Sequence, residues 1–292
     1  GVAPNASLYS YRILNALGYF GGKTGNQMVP DVVQASQRHN VTILNNSWGS
    51  HTEINDLSKA QIETRLAQEL AAWQEAVADG MVIVWAAGND RDNNVSIRAG
   101  LPAYFENLKQ GWLAVVAVGP DGSEPSYTKR CGVSSEWCVT APGGGDNSAS
   151  EGILAAQTGG GFTRKSGTSM AAPHVSGAVA RYLQTTTVTT TTPTDAWNWL
   201  KQNSTCNAVT YLAARQLLTR TPNRLLAVDA PAVAPCAPTA VAATVAAKST
   251  VVSWTEPATA NGSVITGYTA TVSPGGQNCA TTSLTCEITG LR

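Results

Sequence analysis

Residues 166 to 180 read SGTSMAAPHVSGAVA, and the serine at 169 stands where a reactive hydroxyl could be made. Gly167 and Thr168 supply a tight turn, and Ala171, Ala172, Val175, Ala178 and Val179 recur at helical spacing, so the spacing predicts a helix that starts near Ser169. Unpaired N–H groups and the positive dipole end lower the cost of negative charge there, which suits an alkoxide or an acyl oxyanion. Pro173 falls in the first turn, where its missing N–H costs nothing. Taken alone, a serine before an apolar helix is most often an N-cap. A catalytic serine also needs a base, because its hydroxyl is a weak nucleophile at neutral pH.

The chain holds three histidines, at 39, 51 and 174. At about 100° per residue, His174 points roughly 140° away from Ser169 on the same helix and cannot reach it. His39 closes the polar stretch VPDVVQASQRHN, where an imidazole meets the negative end of a helix dipole in a solvated capping role. His51, in NNSWGSHTE, follows a strand end near a cleft, but its flanking residues are not those of a general base. Asn89, in AAGND, has two readings. It is a strand-ending turn residue that tolerates unusual backbone angles, or its amide donates to a tetrahedral oxyanion.

Four separated segments, in order, resemble the subtilases, the subtilisin-like serine peptidases. GTSMAAPHVSG resembles the family's nucleophile signature, VWAAGND its oxyanion-hole segment, ILNNSWGS its substrate-binding strand and TPNRLL a closing segment of the domain. The resemblance makes Ser169 the nucleophile and Asn89, with the Ser169 backbone N–H, the oxyanion hole. It places substrate binding at Ser47, Trp48, Gly49, Ala87 and Gly88, with Leu101, Pro102 and Ala103 near the base of the specificity pocket. All of these are small or apolar, so a large apolar residue is expected before the scissile bond, with bulky Trp48 able to narrow the pocket. In the family the aspartate and the histidine lie upstream of a glycine-valine-alanine-proline stretch, and this sequence opens on GVAPNASLYSYRIL. Both are therefore expected to precede Gly1, leaving residues 1–292 without their base, and Asp31, Asp56, Asp79 and Asp90 all fall downstream of the family's aspartate. Calcium is compatible with the resemblance, although no ligand is assignable here, and no other cofactor or metal is implied.

The resemblance implies protein or peptide substrates, and composition agrees with a secreted catalytic domain. Nineteen Lys and Arg balance nineteen Asp and Glu, which argues against nucleic acid or an anionic membrane as partner. No apolar run reaches the roughly 18 residues of a membrane span. The six cysteines lack metal-like Cys-x-x-Cys spacing and fit an oxidising, extracellular compartment. Local pairing would join Cys131 with Cys138, Cys206 with Cys236, and Cys279 with Cys286, the first resembling a pair found in autotransporter-type subtilases.

The elements that must position this chemistry are legible as continuous apolar runs at 8–14, 41–45, 81–87 and 112–118, the pattern of strands buried on both faces. Between the second and third, Ser58 and Gln61 form a capping box and Ile62, Leu66, Leu70, Trp73 and Val77 mark one helical face before Gly80. Strand, helix, strand predicts a doubly wound α/β domain with a mostly parallel sheet, its chemistry at the carboxyl ends of the strands. This domain is expected over 1–228. A proline-rich linker follows over 229–238. Residues 239–292 alternate like sandwich strands and resemble part of a fibronectin type III domain, with Trp254 and Tyr268 in its core. Two function classes are open: a secreted serine endopeptidase, and a non-catalytic pseudoprotease or adhesion module joined to a sandwich spacer.

Overall fold

The computed structural model describes residues 2–15, 23–185, 192–202, 204–206, 224–226, 238–257 and 265–291. The chain divides into two compact units, Gly1–Leu200 with Ala208–Leu226, and Lys201–Asn207 with Ala227–Arg292. In chain order come α1 (Gly25–Arg38), β1 (Ile43–Asn46), α2 (Lys59–Arg65), α3 (Ala67–Ala78), β2 (Val82–Ala86), α4 (Ile97–Gly100), β3 (Trp112–Val118), β4 (Cys138–Pro142), α5 (Ser148–Glu151), β5 (Ile153–Ala156), β6 (Phe162–Lys165), α6 (Thr168–Thr185), α7 (Pro193–Gln202), β7 (Ser204–Cys206) and β8 (Arg224–Leu226).

In the first unit the strands pair in parallel in the order β1-β2-β3-β4-β8. Every residue of β2 and β3 is buried, as continuous apolar runs require when both sheet faces are covered. Side chains alternate across the sheet. Ile83, Trp85, Ala114 and Val116 join one cluster with Trp73 and Val77 of α3. Val82, Val84, Leu113 and Val115 between them are equally buried, and α6, which packs against the sheet, brings buried Ala171, Ala172, Val175, Ala178 and Val179. An α/β fold with helices against a parallel sheet is therefore present.

Two expectations about elements are corrected. Residues 8–14 form no strand, and Leu8 is almost fully exposed. An apolar run becomes a strand only where a neighbouring strand offers its N–H and C=O groups, and none of the described strands pairs with this run. The single helix expected from Ser58 to Gly80 is two, broken at Leu66 (φ −117°, ψ 24°) after the Ser58–Gln61 capping box has started the first. Gly80 adopts φ +86°, a conformation a residue with Cβ resists, and so turns the chain from α3 into β2.

Cys131 and Cys138 are bonded, with Cα atoms 5.9 Å apart, and both are fully buried, Cys138 as the first residue of β4. Closing so short a loop stabilises the fold by about 2 kcal/mol on the chain-entropy account. Replacing both by alanine is expected to lower the denaturation free energy by about that amount. An unchanged midpoint, or a peptide map linking Cys131 elsewhere, would contradict this. The pair expected between Cys206 and Cys236 involves a residue outside the described ones, as does the linker expected over 229–238 for all but its last residue.

In the second unit, residues 238–291 carry β9 (Thr239–Val245), β10 (Ser249–Thr255), β11 (Tyr268–Thr271), β12 (Asn278–Thr281) and β13 (Thr285–Thr289). β10 pairs antiparallel with β9 and β13, and β11 pairs antiparallel with β12. Trp254 and Tyr268 pack with ring centroids 5.4 Å apart, and a Cys279–Cys286 disulfide joins β12 to β13.

Candidate active site

Parallel pairing brings the carboxyl ends of β1 and β2 to one edge of the sheet, and α6 begins there. Ser47 Oγ donates to the Ser169 carbonyl (2.9 Å) and Ser169 Oγ donates to the Ser47 carbonyl (3.2 Å). Farther along α6, Ser176 Oγ donates to Asn45 Oδ1 (3.0 Å), so β1 and the helix are fastened at two points. The start of the helix is set from β4: Gly167 N donates to the Gly143 carbonyl (2.8 Å). Tyr127 Oη donates to the carbonyls of Gly143 (2.9 Å) and Gly144 (2.6 Å). Burial, with the Asp146 carboxylate nearby, pushes the Tyr127 phenol far above its ordinary range, so it remains a donor.

Ser169 is half-buried in the first turn of α6, where N–H groups have no helical partner. Asn89 lies on the turn after β2. Its Oδ1 accepts from the Thr168 backbone N–H (2.8 Å) and from Thr168 Oγ1 (3.0 Å), while Thr168 Oγ1 accepts from Gly88 N (3.1 Å). A backbone N–H can only donate, so the atom facing it is the amide oxygen and the Nδ2 donors are turned elsewhere. Asn89 is exposed, so that amide is open to a ligand. This is the arrangement an oxyanion donor needs: one end anchored and the other, among the described residues, without a hydrogen bond before any substrate arrives. Thr168, which supplies the anchor, reads in the sequence only as part of the tight turn before Ser169.

Trp48, Gly49, Ser50, His51, Ala86, Gly88, Asn89, Asp90, Ser96, Thr168 and Ser169 line one pocket. Five of the expected site residues, Ser169, Asn89, Trp48, Gly49 and Gly88, thus meet around it. Ser47 stands behind it, tied to Ser169. Ala87 is fully buried in the core cluster, its carbonyl accepting from Ser96 N (2.8 Å). Leu101, Pro102 and Ala103 do not line this pocket. Trp48 turns toward the core: its indole lies 5.0 Å from Trp85 and donates to Asn46 Oδ1 (3.1 Å), and the Arg98 guanidinium stacks 4.9 Å over it. Arg98 is itself held by the fully buried Glu69 (2.5 and 2.9 Å), which links α3 to the pocket wall.

The histidines stand as follows. His39 caps the end of α1 and stacks on Tyr9. His174 Nδ1 contacts the Met170 carbonyl of its own helix (2.8 Å). His51 is on the pocket rim, its Nδ1 against Asp90 Oδ1 and its side chain almost fully exposed. Among the described residues no histidine hydrogen-bonds Ser169. Nor does any group of three or more His, Cys, Asp or Glu side chains there form a metal-binding set.

Residues 1–229 match the family model described as the subtilase family. The chain belongs to the subtilase family. Its relatives include subtilisin DY of Bacillus licheniformis, 31% identical over 183 residues, which are 63% of this chain and 56% of that protein. The extracellular serine protease of Serratia marcescens is 30% identical over 154 residues, 47% of this chain and 14% of the relative. The chain thus spans only part of the subtilases it matches. Among solved structures, a cold adapted subtilisin-like serine proteinase superposes with a TM-score of 0.57 at 26% identity, covering 79% of this chain and 70% of the other. The patellamide maturation protease PatA shares the fold at a TM-score of 0.52, 23% identical over 70% of this chain and 65% of its own.

Proposed function

We propose that the protein containing this chain is a secreted serine endopeptidase of the subtilisin type. Ser169 attacks the scissile carbonyl and forms the acyl-enzyme, and Asn89 Nδ2 with the Ser169 N–H receives the oxyanion. This reading assigns the base to a histidine and an aspartate outside residues 1–292. The observation that carries this reading is the anchored Asn89 amide beside a half-buried serine at a helix N-terminus. An adhesion module without chemistry has no need of that preorganised donor. Residues 229–238 act as a linker between the domain of residues 1–228 and a spacer related to fibronectin type III over 239–292, and export to an oxidising compartment accounts for the disulfides.

Comparing the full-length protein with residues 1–292 on a chromogenic peptide tests the assignment. Full-length turnover and its absence in the shorter chain are expected, since a serine without its base keeps only residual catalysis. His51 and Asp90 lie on the same pocket as Ser169, so among the described residues they are the pair that could substitute. His51→Ala in the full-length protein is expected to leave kcat within about threefold. A loss of several orders of magnitude would instead make His51 the base.

The substrate backbone adds a strand beside residues 46–49, and the side chain before the scissile bond enters the pocket. Among the described residues Asp90 is the one carboxylate on its lining, and His51 on one side and Lys129 Nζ at 3.7 Å on the other already face it. A large apolar side chain is therefore favoured, gaining about 25 cal/mol per Å² removed from water. Peptide-library profiling should yield Leu or Phe at that position, with Trp48→Leu shifting preference from Leu toward Phe. Dominant Arg or Lys would overturn this preference.

A further inference from the structure

Lys129 has a fully buried side chain, and nothing in the reaction as described uses it. Its Nζ lies 2.5 Å from Asp92 Oδ2, 3.7 Å from Asp90 Oδ2 and 3.9 Å from Glu53 Oε1. Its backbone N–H donates to the Gly88 carbonyl (3.0 Å), and its methylenes lie so close beneath Gly88 that a Cβ there would meet Cδ at 2.6 Å. Gly88 has φ +119°, so this turn depends on glycine for both space and conformation. On either side the same segment is laced to the turn: Arg91 N donates to the Tyr127 carbonyl (3.0 Å) and Arg130 N to the Asp92 carbonyl (3.1 Å). A buried ammonium is costly unless fully paired, so its location beneath the turn that carries Asn89 calls for a reason.

We infer that Lys129 is a positioning residue for the oxyanion site: its stem closes under Gly88 and its ammonium clamps Asp90 and Asp92, which fixes the Asn89 turn from below. Thr168 then needs only to orient the amide. The inference rests on the peptidase reading for its kinetic consequence but not for the clamp itself. A turn released by a few tenths of an ångström would misaim Asn89 Nδ2, and catalysis is sensitive to displacements of that order.

Two readouts on the full-length protein test it. Lys129→Met keeps the stem and removes the charge. It is expected to lower kcat about ten- to a hundredfold with KM changed less than about threefold. In an Asn89→Ala background it should lower kcat no further, because the two residues act as one unit. Hydrogen exchange of the amides of residues 88–92 should rise about tenfold in Lys129→Met while those of β2 and β3 stay protected. Lys109→Met, at an exposed ion pair with Glu106 and Glu136, serves as control and should change neither. If Lys129→Met does not fold, Asp92→Asn loosens the same clamp from its exposed side and should move both readouts in the same direction. Wild-type kcat, a loss additive with Asn89→Ala, or exchange raised equally in β2 and β3 would each overturn the proposal. Should the full-length wild type cleave no peptide, the peptidase reading fails, and exchange alone decides the clamp.

Discussion

Replacing Ser169 by alanine in the full-length protein is expected to reduce kcat on a peptide substrate by about 10⁶-fold, a magnitude known for subtilisin, a member of the same family, and carried over from it. The structure supports reading such a loss as chemical. Among the described residues Ser169 Oγ makes one hydrogen bond, to the Ser47 carbonyl, and that acceptor lies at a half-buried site. Losing it costs at most about 1 kcal/mol of stability, and alanine is favourable in a helix. The reciprocal bond from Ser47 Oγ goes to the Ser169 backbone and survives the change. Covalent labelling by a fluorophosphonate should vanish with activity, while the melting temperature stays within a few degrees. Activity retained within tenfold would remove Ser169 from the mechanism and leave a binding module as the better account.

The Asn89→Ala variant is expected to lose about 10² to 10³ in kcat with little change in KM, again a magnitude taken from an oxyanion asparagine in subtilisin. The donor meets a full negative charge only in the transition state, so its removal should spare substrate binding. Alanine also deprives the Thr168 N–H of its acceptor, which mixes a structural effect into the result. Asn89→Asp separates the two. The carboxylate keeps an oxygen for Thr168 but offers no N–H to the oxyanion and repels it, so kcat should fall at least as far as in Asn89→Ala. If Asn89→Asp were nearly as active as wild type, the amide would be a turn anchor and nothing more.

Much of the scaffold was legible in the sequence because it is built from local patterns. Continuous apolar runs marked β2 and β3, since a strand covered on both faces has no polar alternate positions, whereas β1 was marked by a run that is buried at Leu44 and Asn46 but exposed at Asn45. The start of α6 was legible from its turn residues and helical spacing, and the end of α1 from the polar stretch before His39. The run at 8–14 misled for the complementary reason. Its composition is that of a strand, but pairing is a property of two segments, and composition describes only one. At Leu66 the helix broke although its apolar face continued, because a hydrophobic stripe specifies which side is buried and not that the axis stays unbroken.

The division is sharpest at the site. The sequence by itself determined that a serine begins a small-residue helix, that an asparagine ends a buried strand and that no histidine sits at helical reach of the serine. Those are matters of residue type and short spacing. Only the tertiary structure decided that Asn89 is oriented by Thr168 across 79 positions, that Ala87 faces the core while Asp90 reaches the pocket, and that a lysine lies buried beneath the turn. Lysine is ordinarily a surface residue, and nothing in SYTKRC marks it otherwise. Its burial depends on three carboxylates from two distant loops converging on one point. Such long-range electrostatic closure leaves no periodic trace in the chain, because its partners are brought together only by the crossover connections of the sheet.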